Sequence, residues 1–212
     1  MNARLDAFLF AGPAGKLEGL WKGAENCHRG ASVFAHPHPV QGGTLHNKVV
    51  FRAARTLSRA GYGVLRFNFR GVGLSEGRYD EGRGEREDYR AAVDEAERRG
   101  GRPIVAGGFS FGSSVGLKTI GGDARVVAFI GVGVPLAIEG AADLPFPKVP
   151  ALFVVGSEDR FCPTALLREW AMGRGRIVEI AGADHFLTGK LVELEKAIAG
   201  FLTEIAGAAQ TA

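Results

Sequence analysis

The sequence predicts an α/β domain, a mainly parallel sheet with helices on both faces, and three observations lead there. Short apolar runs alternate along the chain with segments of helical periodicity, the pattern of strands joined by crossover helices. The runs are continuously apolar, as strands buried on both sides are. The length of 212 residues and the 46% hydrophobic content suffice for one sizeable core and fit a single domain.

In chain order, the N-terminal stretch reads as a hairpin, and sheet strands follow at 31–36, 63–67, 103–108, 126–131, 151–156 and 176–180. With the hairpin this makes about eight strands. Residues 45–60 read as a helix through Val49, Val50, Ala53, Ala54 and Leu57, closed by Gly61 at a left-handed cap position. A second helix, 85–99, carries Tyr89, Ala92, Val93 and Ala96 on one face. Near the C-terminus Leu187, Leu191, Leu194, Ile198, Phe201, Leu202 and Ile205 form a broad apolar stripe that should pack on the sheet, with Thr188 as its expected cap. No repeat is visible and no linker interrupts the pattern. The interval 135–150, the one place for an insertion after the sixth strand, is too short to build a lid domain. Glycine supplies 32 residues without a collagen-like period, which suits tight turns between buried strands.

Composition excludes several classes of function. The 26 basic and 23 acidic side chains are interspersed, and the formal charge of +3 does not indicate a nucleic-acid partner. Arginines do gather between Arg78 and Arg102, but Asp80, Glu81, Glu85, Glu87, Asp88, Asp94, Glu95 and Glu97 share the stretch, so a solvated helix face is expected. Two cysteines, Cys27 and Cys162, give no disulfide framework and read as free thiols in a reducing compartment. The opening MNARLDAFLF lacks the apolar core of a signal peptide. The longest uncharged run, 126–138, contains Gly131, Gly133 and Pro135 and falls short of the ~20 apolar residues of a membrane span. A soluble cytoplasmic protein, monomer or homodimer, is the expectation.

The chemistry begins at Gly108-Phe109-Ser110-Phe111-Gly112, a G-x-S-x-G placed after an apolar strand and before a helical segment. In that context the serine sits on a sharp, strained turn with its hydroxyl at the carboxyl edge of the sheet, and the flanking glycines relieve backbone crowding. The following helix aims its unpaired N–H groups and positive dipole end at the place where an oxyanion forms. The Phe111 N–H is the first expected donor. A glycine-rich turn holding an ordinary serine is the competing reading.

A serine hydroxyl needs a histidine to take its proton and a carboxylate to orient that histidine. With this turn the acid and base follow the nucleophile, on loops after later strands. Downstream of Ser110 the sequence holds one histidine, His185, in GADHFLTGK. The expected acid is Asp159 in VVGSEDRFCP, with Glu158 the main competitor and Asp143 a distant one; Asp184 adjoins His185 too closely in sequence to orient it well. The second oxyanion donor is expected in HPHPVQGG, after the strand 31–36. Pro37 and Pro39 have no N–H, which leaves His38, the preferred residue, or Val40, or a residue beyond them. His36, His38 and His46 offer H-x-H zinc-ligand spacing, but no carboxylate or thiolate nearby in sequence completes a site, and structural roles are expected, with no metal and no cofactor.

Together the segments HPHPVQGGTLHNKVV, RFNFRGVGLSEG, GGFSFGSSVG, VVGSEDRFCP and GADHFL resemble the α/β-hydrolase superfamily, specifically its small bacterial members without a lid grouped near the dienelactone hydrolases. The resemblance covers nearly the whole chain and implies an α/β-hydrolase fold with a triad of Ser110, Asp159 and His185. One departure matters: dienelactone hydrolases proper use a cysteine nucleophile where this chain has Ser110, so their substrate is not carried over. Arg66 and Arg70 in RFNFRGVGLSEG are in a position to reach a substrate carboxylate, but structural ion pairs with the acidic helix are favoured. Gly71, Gly73 and Gly77 mimic a dinucleotide loop, but with the wrong spacing. The expected activity is hydrolysis of small acyl esters. A peptidase or amidase with the same triad and a catalytically silent binding protein are the alternatives.

Overall fold

A computed structural model describes residues 5–25 and 27–208; the first four residues of the stretch read against a signal peptide lie outside them. The hairpin forms, with β1 (Leu5–Gly12) antiparallel to β2 (Gly15–Lys22). The remaining strands are β3 (Gly30–Ala35), β4 (Tyr62–Phe67), β5 (Ile104–Phe109), β6 (Val126–Val132), β7 (Ala151–Gly156) and β8 (Arg176–Ile180). All eight make one sheet in the order β1-β2-β4-β3-β5-β6-β7-β8. It is parallel from β4 to β8, with β2 joined antiparallel to β4.

The helices are α1 (Lys48–Arg59), α2 (Arg83–Gly100), α3 (Phe111–Thr119), the single turn α4 (Leu136–Glu139), α5 (Thr164–Ala171) and α6 (Leu191–Ala208). Apolar faces of α1 and α6 pack over Phe34, Val105, Ile130 and Val154 on one side of the sheet. On the other side α2, α3 and α5 cover Val33, Leu65, Ala106, Phe129 and Phe153. Strands β3 to β7 are thus sandwiched between apolar layers, which is why they read as continuous apolar runs. No helix among the described residues is long and apolar enough to cross a membrane.

Four expectations need correction. Strand β8 is not buried on both sides: it pairs only with β7 at the edge of the sheet, and Arg176 and Glu179 are exposed. Helix α1 begins at Lys48 rather than 45, because the Asn47 side chain accepts the Val49 N–H at 2.9 Å and caps it there. Thr188 does not cap α6, which starts at Leu191; its N–H and hydroxyl both donate to Asp184, at 2.9 and 2.8 Å. The charges of α2 are not all solvated, since Glu85 and Asp88 are fully buried. The Glu85 carboxylate reaches back to accept the Asp80 and Gly82 N–H groups at the helix start, and Asp88 receives Arg70 Nε and Nη2 at 2.9 and 2.7 Å. The outer charges do pair along the exposed face, Arg90 with Glu87 and Arg98 with Glu95.

Candidate active site

In an open parallel sheet, ligands bind outside the carboxyl ends of the strands where the connections change direction. Here that point lies between β3 and β5: the chain leaves β3 for β4 on one side, and β5 joins β3 on the other. The register pairs Ala35 with Gly108, so the segment after β3 and the turn after β5 leave the sheet side by side. The first carries His36 and His38, the second Ser110.

Ser110 is the N-cap of α3 with φ 52° and ψ −120°, a conformation that L residues rarely adopt and that costs on the order of 1–3 kcal/mol. Its neighbours explain why the strain persists. A Cβ on Gly108 would lie 2.4 Å from the Gly112 carbonyl carbon, and one on Gly112 would lie 2.6 Å from the carbonyl oxygens of Ala35 and His36. The turn fits between β3 and β5 only with glycine at both positions. It is also tied down: the Ser110 N–H donates to the Val132 carbonyl at 2.8 Å, and the Ser113 hydroxyl donates to the Gly108 carbonyl at 2.7 Å.

The loops after β7 and β8 bring two distant residues to this serine. His185 Nε2 lies 3.0 Å from Ser110 Oγ, and His185 Nδ1 lies 2.8 Å from Asp159 Oδ2. The other Asp159 oxygen accepts the N–H groups of Phe161 and Cys162 at 2.9 and 3.0 Å, which fixes the carboxylate plane. Asp159 and His185 are 4% and 8% exposed. The competing acids stand elsewhere: Glu158 and Asp143 are exposed, and Asp184 is held by Thr188, whose hydrogen bonds pull its carboxyl below the usual range. The imidazole of His185 is walled by Phe109, Phe161 and Phe186, with ring centroids 5.0, 4.8 and 5.4 Å away.

The two expected oxyanion donors share one wall. Phe111 opens α3, so its N–H has no partner within the helix. His38 precedes a short turn, Pro39–Gln41, and its carbonyl accepts the N–H groups of Gln41 and Gly43. Its ring packs against Phe111 at 5.0 Å, and its Nε2 lies 3.2 Å from the Tyr79 hydroxyl. Val40, the other candidate donor, lies inside the turn and is 67% exposed.

His36 has a structural place. Nε2 accepts the Phe69 N–H at 3.1 Å, so Nδ1 carries the proton and donates to the Pro37 carbonyl at 2.6 Å. Burial lowers its pKa to about 4. His46 is exposed, and among the described residues no group of three His, Cys, Asp or Glu is arranged to hold a metal ion. Arg70 is committed to Asp88, whereas Arg66 pairs with no acid among the described residues and donates to the Leu45 carbonyl at 2.8 Å, its pKa lowered to about 10 by burial. Sequence reasoning missed Ser113, Tyr79, Gly133 and the phenylalanine wall. Gly133 follows β6 with φ 54°, and a Cβ there would stand 3.0 Å from the His185 ring. The signal for Ser113 was its position one turn into the helix behind the serine.

A serine on a strained strand-to-helix turn, with a buried histidine and carboxylate beside it at this edge of the sheet, is a feature of the α/β serine hydrolase class. Solved structures agree with that class. An α/β serine hydrolase homologue from Coxiella burnetii is 36% identical, with 92% of this chain and 95% of that one covered and a TM-score of 0.84. XC6422 from Xanthomonas campestris, an α/β serine hydrolase without a lid, is 28% identical with 96% of both chains covered and a TM-score of 0.88. The uncharacterized protein RP471 of Rickettsia prowazekii (strain Madrid E) is 32% identical over 209 residues, 92% of this chain and 88% of that one. The chain belongs to the lid-less α/β serine hydrolases. No protein-family model matches it. The fold extends further, to the Pyrococcus furiosus esterase Pf2001 at 18% identity and a TM-score of 0.77.

Proposed function

We propose that the protein is a carboxylic ester hydrolase that cleaves small acyl esters through an acyl-enzyme on Ser110. The observation that carries the reading is the run of two hydrogen bonds from Ser110 Oγ to His185 Nε2 and from His185 Nδ1 to Asp159 Oδ2, at 3.0 and 2.8 Å. With Asp159 accepting the Nδ1 proton, the Nε2 lone pair faces the serine hydroxyl and serves as general base. Ser110 attacks the ester carbonyl as His185 takes its proton. The imidazolium, stabilised by the Asp159 carboxylate, then protonates the departing alcohol. Water, deprotonated by the same imidazole, releases the acid and regenerates the serine.

The Phe111 and His38 N–H groups stabilise the tetrahedral oxyanion in this reading, each worth on the order of 10²- to 10³-fold in rate. Among the described residues no lid domain covers the sheet edge, which favours short acyl chains over long lipids. Free Cys27 and Cys162 accord with a reducing, cytoplasmic setting. The test compares 4-nitrophenyl acetate and butyrate with the matching 4-nitroanilides, using wild type and Ser110→Ala. Ester turnover that disappears in Ser110→Ala supports the reading. Faster cleavage of the anilides moves it to an amidase, and turnover of neither by folded protein leaves a binding protein on a hydrolase fold.

A further inference from the structure

Among the described residues, four buried side-chain polar atoms have no hydrogen-bond partner: Ser32 Oγ, His38 Nδ1, Arg86 Nε and Thr164 Oγ1. Two of these four belong to residues lining the same groove. It has a volume of about 570 Å³, and His38 and Arg86 share its wall with Tyr79, Phe111 and Lys118. Phe111 and His38 are also the residues whose N–H groups are assigned to the oxyanion, so the groove starts beside the position of the substrate carbonyl.

A guanidinium is always charged and only donates, so an arginine at the groove wall with no acid of its own is left to an acceptor that enters the groove. The other cations of the groove are matched: Arg83 to Asp80 at 3.0 Å and Lys118 to Glu139 at 2.7 Å. Arg86 makes no ion pair with any described residue. Asp143 also lines the groove without an ion pair among the described residues, but it is exposed, so water solvates it at little cost. When the Tyr79 hydroxyl donates to His38 Nε2, His38 Nδ1 carries the ring's proton, enclosed behind the groove wall. Counting Arg86, the charged side chains of the wall balance, Arg83, Arg86 and Lys118 against Glu81, Glu139 and Asp143, which suits a monoanion better than a dianionic phosphate.

The side of the ester follows from the mechanism. His185 must reach the leaving oxygen, and its surroundings are Phe109, Phe161 and Phe186, none of which lines the groove. An apolar alcohol therefore leaves past the phenylalanines, and the acyl chain is the part that enters the groove. We propose that this groove is an acyl subsite and that Arg86 selects esters whose acyl chain ends in a carboxylate. The inference rests on the ester-hydrolase reading above.

The experiment measures kcat/KM for 4-nitrophenyl hemisuccinate and 4-nitrophenyl butyrate, similar in length and differing in the terminal charge. Wild type is expected to favour the hemisuccinate, and Arg86→Gln to lower the hemisuccinate-to-butyrate ratio about 10- to 100-fold, the usual worth of a charged hydrogen bond. Arg86→Lys, which keeps the charge without the fork, should fall between them. An unchanged ratio in both variants overturns the proposal while leaving the hydrolase reading intact. A calorimetric titration of monomethyl succinate into Ser110→Ala, with and without Arg86→Gln, separates the two ideas. Binding weakened about tenfold or more by Arg86→Gln supports the subsite even if neither ester is turned over, and equal binding or none overturns it.

Discussion

Replacing Asp159 by asparagine keeps the shape of the site and reverses one hydrogen bond. One Asp159 oxygen accepts the Phe161 and Cys162 N–H groups at 2.9 and 3.0 Å, so the asparagine carbonyl must take that side. The amide NH₂ then faces His185 Nδ1, where Asp159 Oδ2 stood at 2.8 Å. Two donors cannot share a hydrogen bond, so the imidazole adopts the tautomer protonated on Nε2. Nε2, 3.0 Å from Ser110 Oγ, can then no longer accept the serine proton. A wrong tautomer in such an arrangement lowers kcat by ~10⁴-fold, or about 5 kcal/mol of barrier. Stability should change by no more than about 1 kcal/mol, a Tm shift of about 2–4 °C for a chain of this size, because the backbone bonds survive. The assay is kcat on 4-nitrophenyl acetate beside a thermal melt. More than a tenth of wild-type kcat with an unchanged Tm would exclude Asp159 as the group that sets the His185 tautomer, and loss of turnover in Glu158→Gln would move the role to Glu158.

Three further outcomes follow. Gly112→Ala places a Cβ 2.6 Å from two backbone oxygens at the end of β3, so stability should fall by about 1–3 kcal/mol and kcat with it, as the His38 segment is pushed from Ser110; wild-type Tm and kcat together would contradict this. His36 has a folded pKa of about 4 against an ordinary value of about 6.5, so the unfolded chain binds the extra proton between these values and stability is lost as pH falls through that window. The loss amounts to about 3 kcal/mol, and the stability gap between wild type and His36→Asn should narrow from pH 7 to pH 4; a gap independent of pH refutes it. Arg86→Gln should change the discrimination between acid-bearing and neutral acyl esters, read as the ratio of kcat/KM for the two.

Local chemistry decided which parts of the molecule were legible in the sequence. Strands β3 to β7 carry apolar side chains on both faces, and those runs need no knowledge of tertiary structure. Strand β8 lies at the sheet edge with two exposed charges, which its five-residue pattern alone did not reveal. Helix α5 was missed because eight residues make two turns, too few for a stable period; its anchor, Trp170 donating to the Leu144 carbonyl, is a long-range contact. At the site, Ser110 and His185 were readable from the turn motif and from the single downstream histidine. The distances that join them to Asp159 come from three separate loops. Arg86 and Tyr79 were unreadable because nothing in the sequence says which residues of an acidic and basic stretch face the groove.

A nucleophile at Ser110, activated by His185, is open to direct chemical capture. Its most direct measurement is labelling with a fluorophosphonate probe, located by mass spectrometry of the digested protein. One stoichiometric adduct on Ser110 is expected, absent in Ser110→Ala and strongly slowed in His185→Ala. Folded wild-type protein that takes no label, or takes it on another residue, would contradict it.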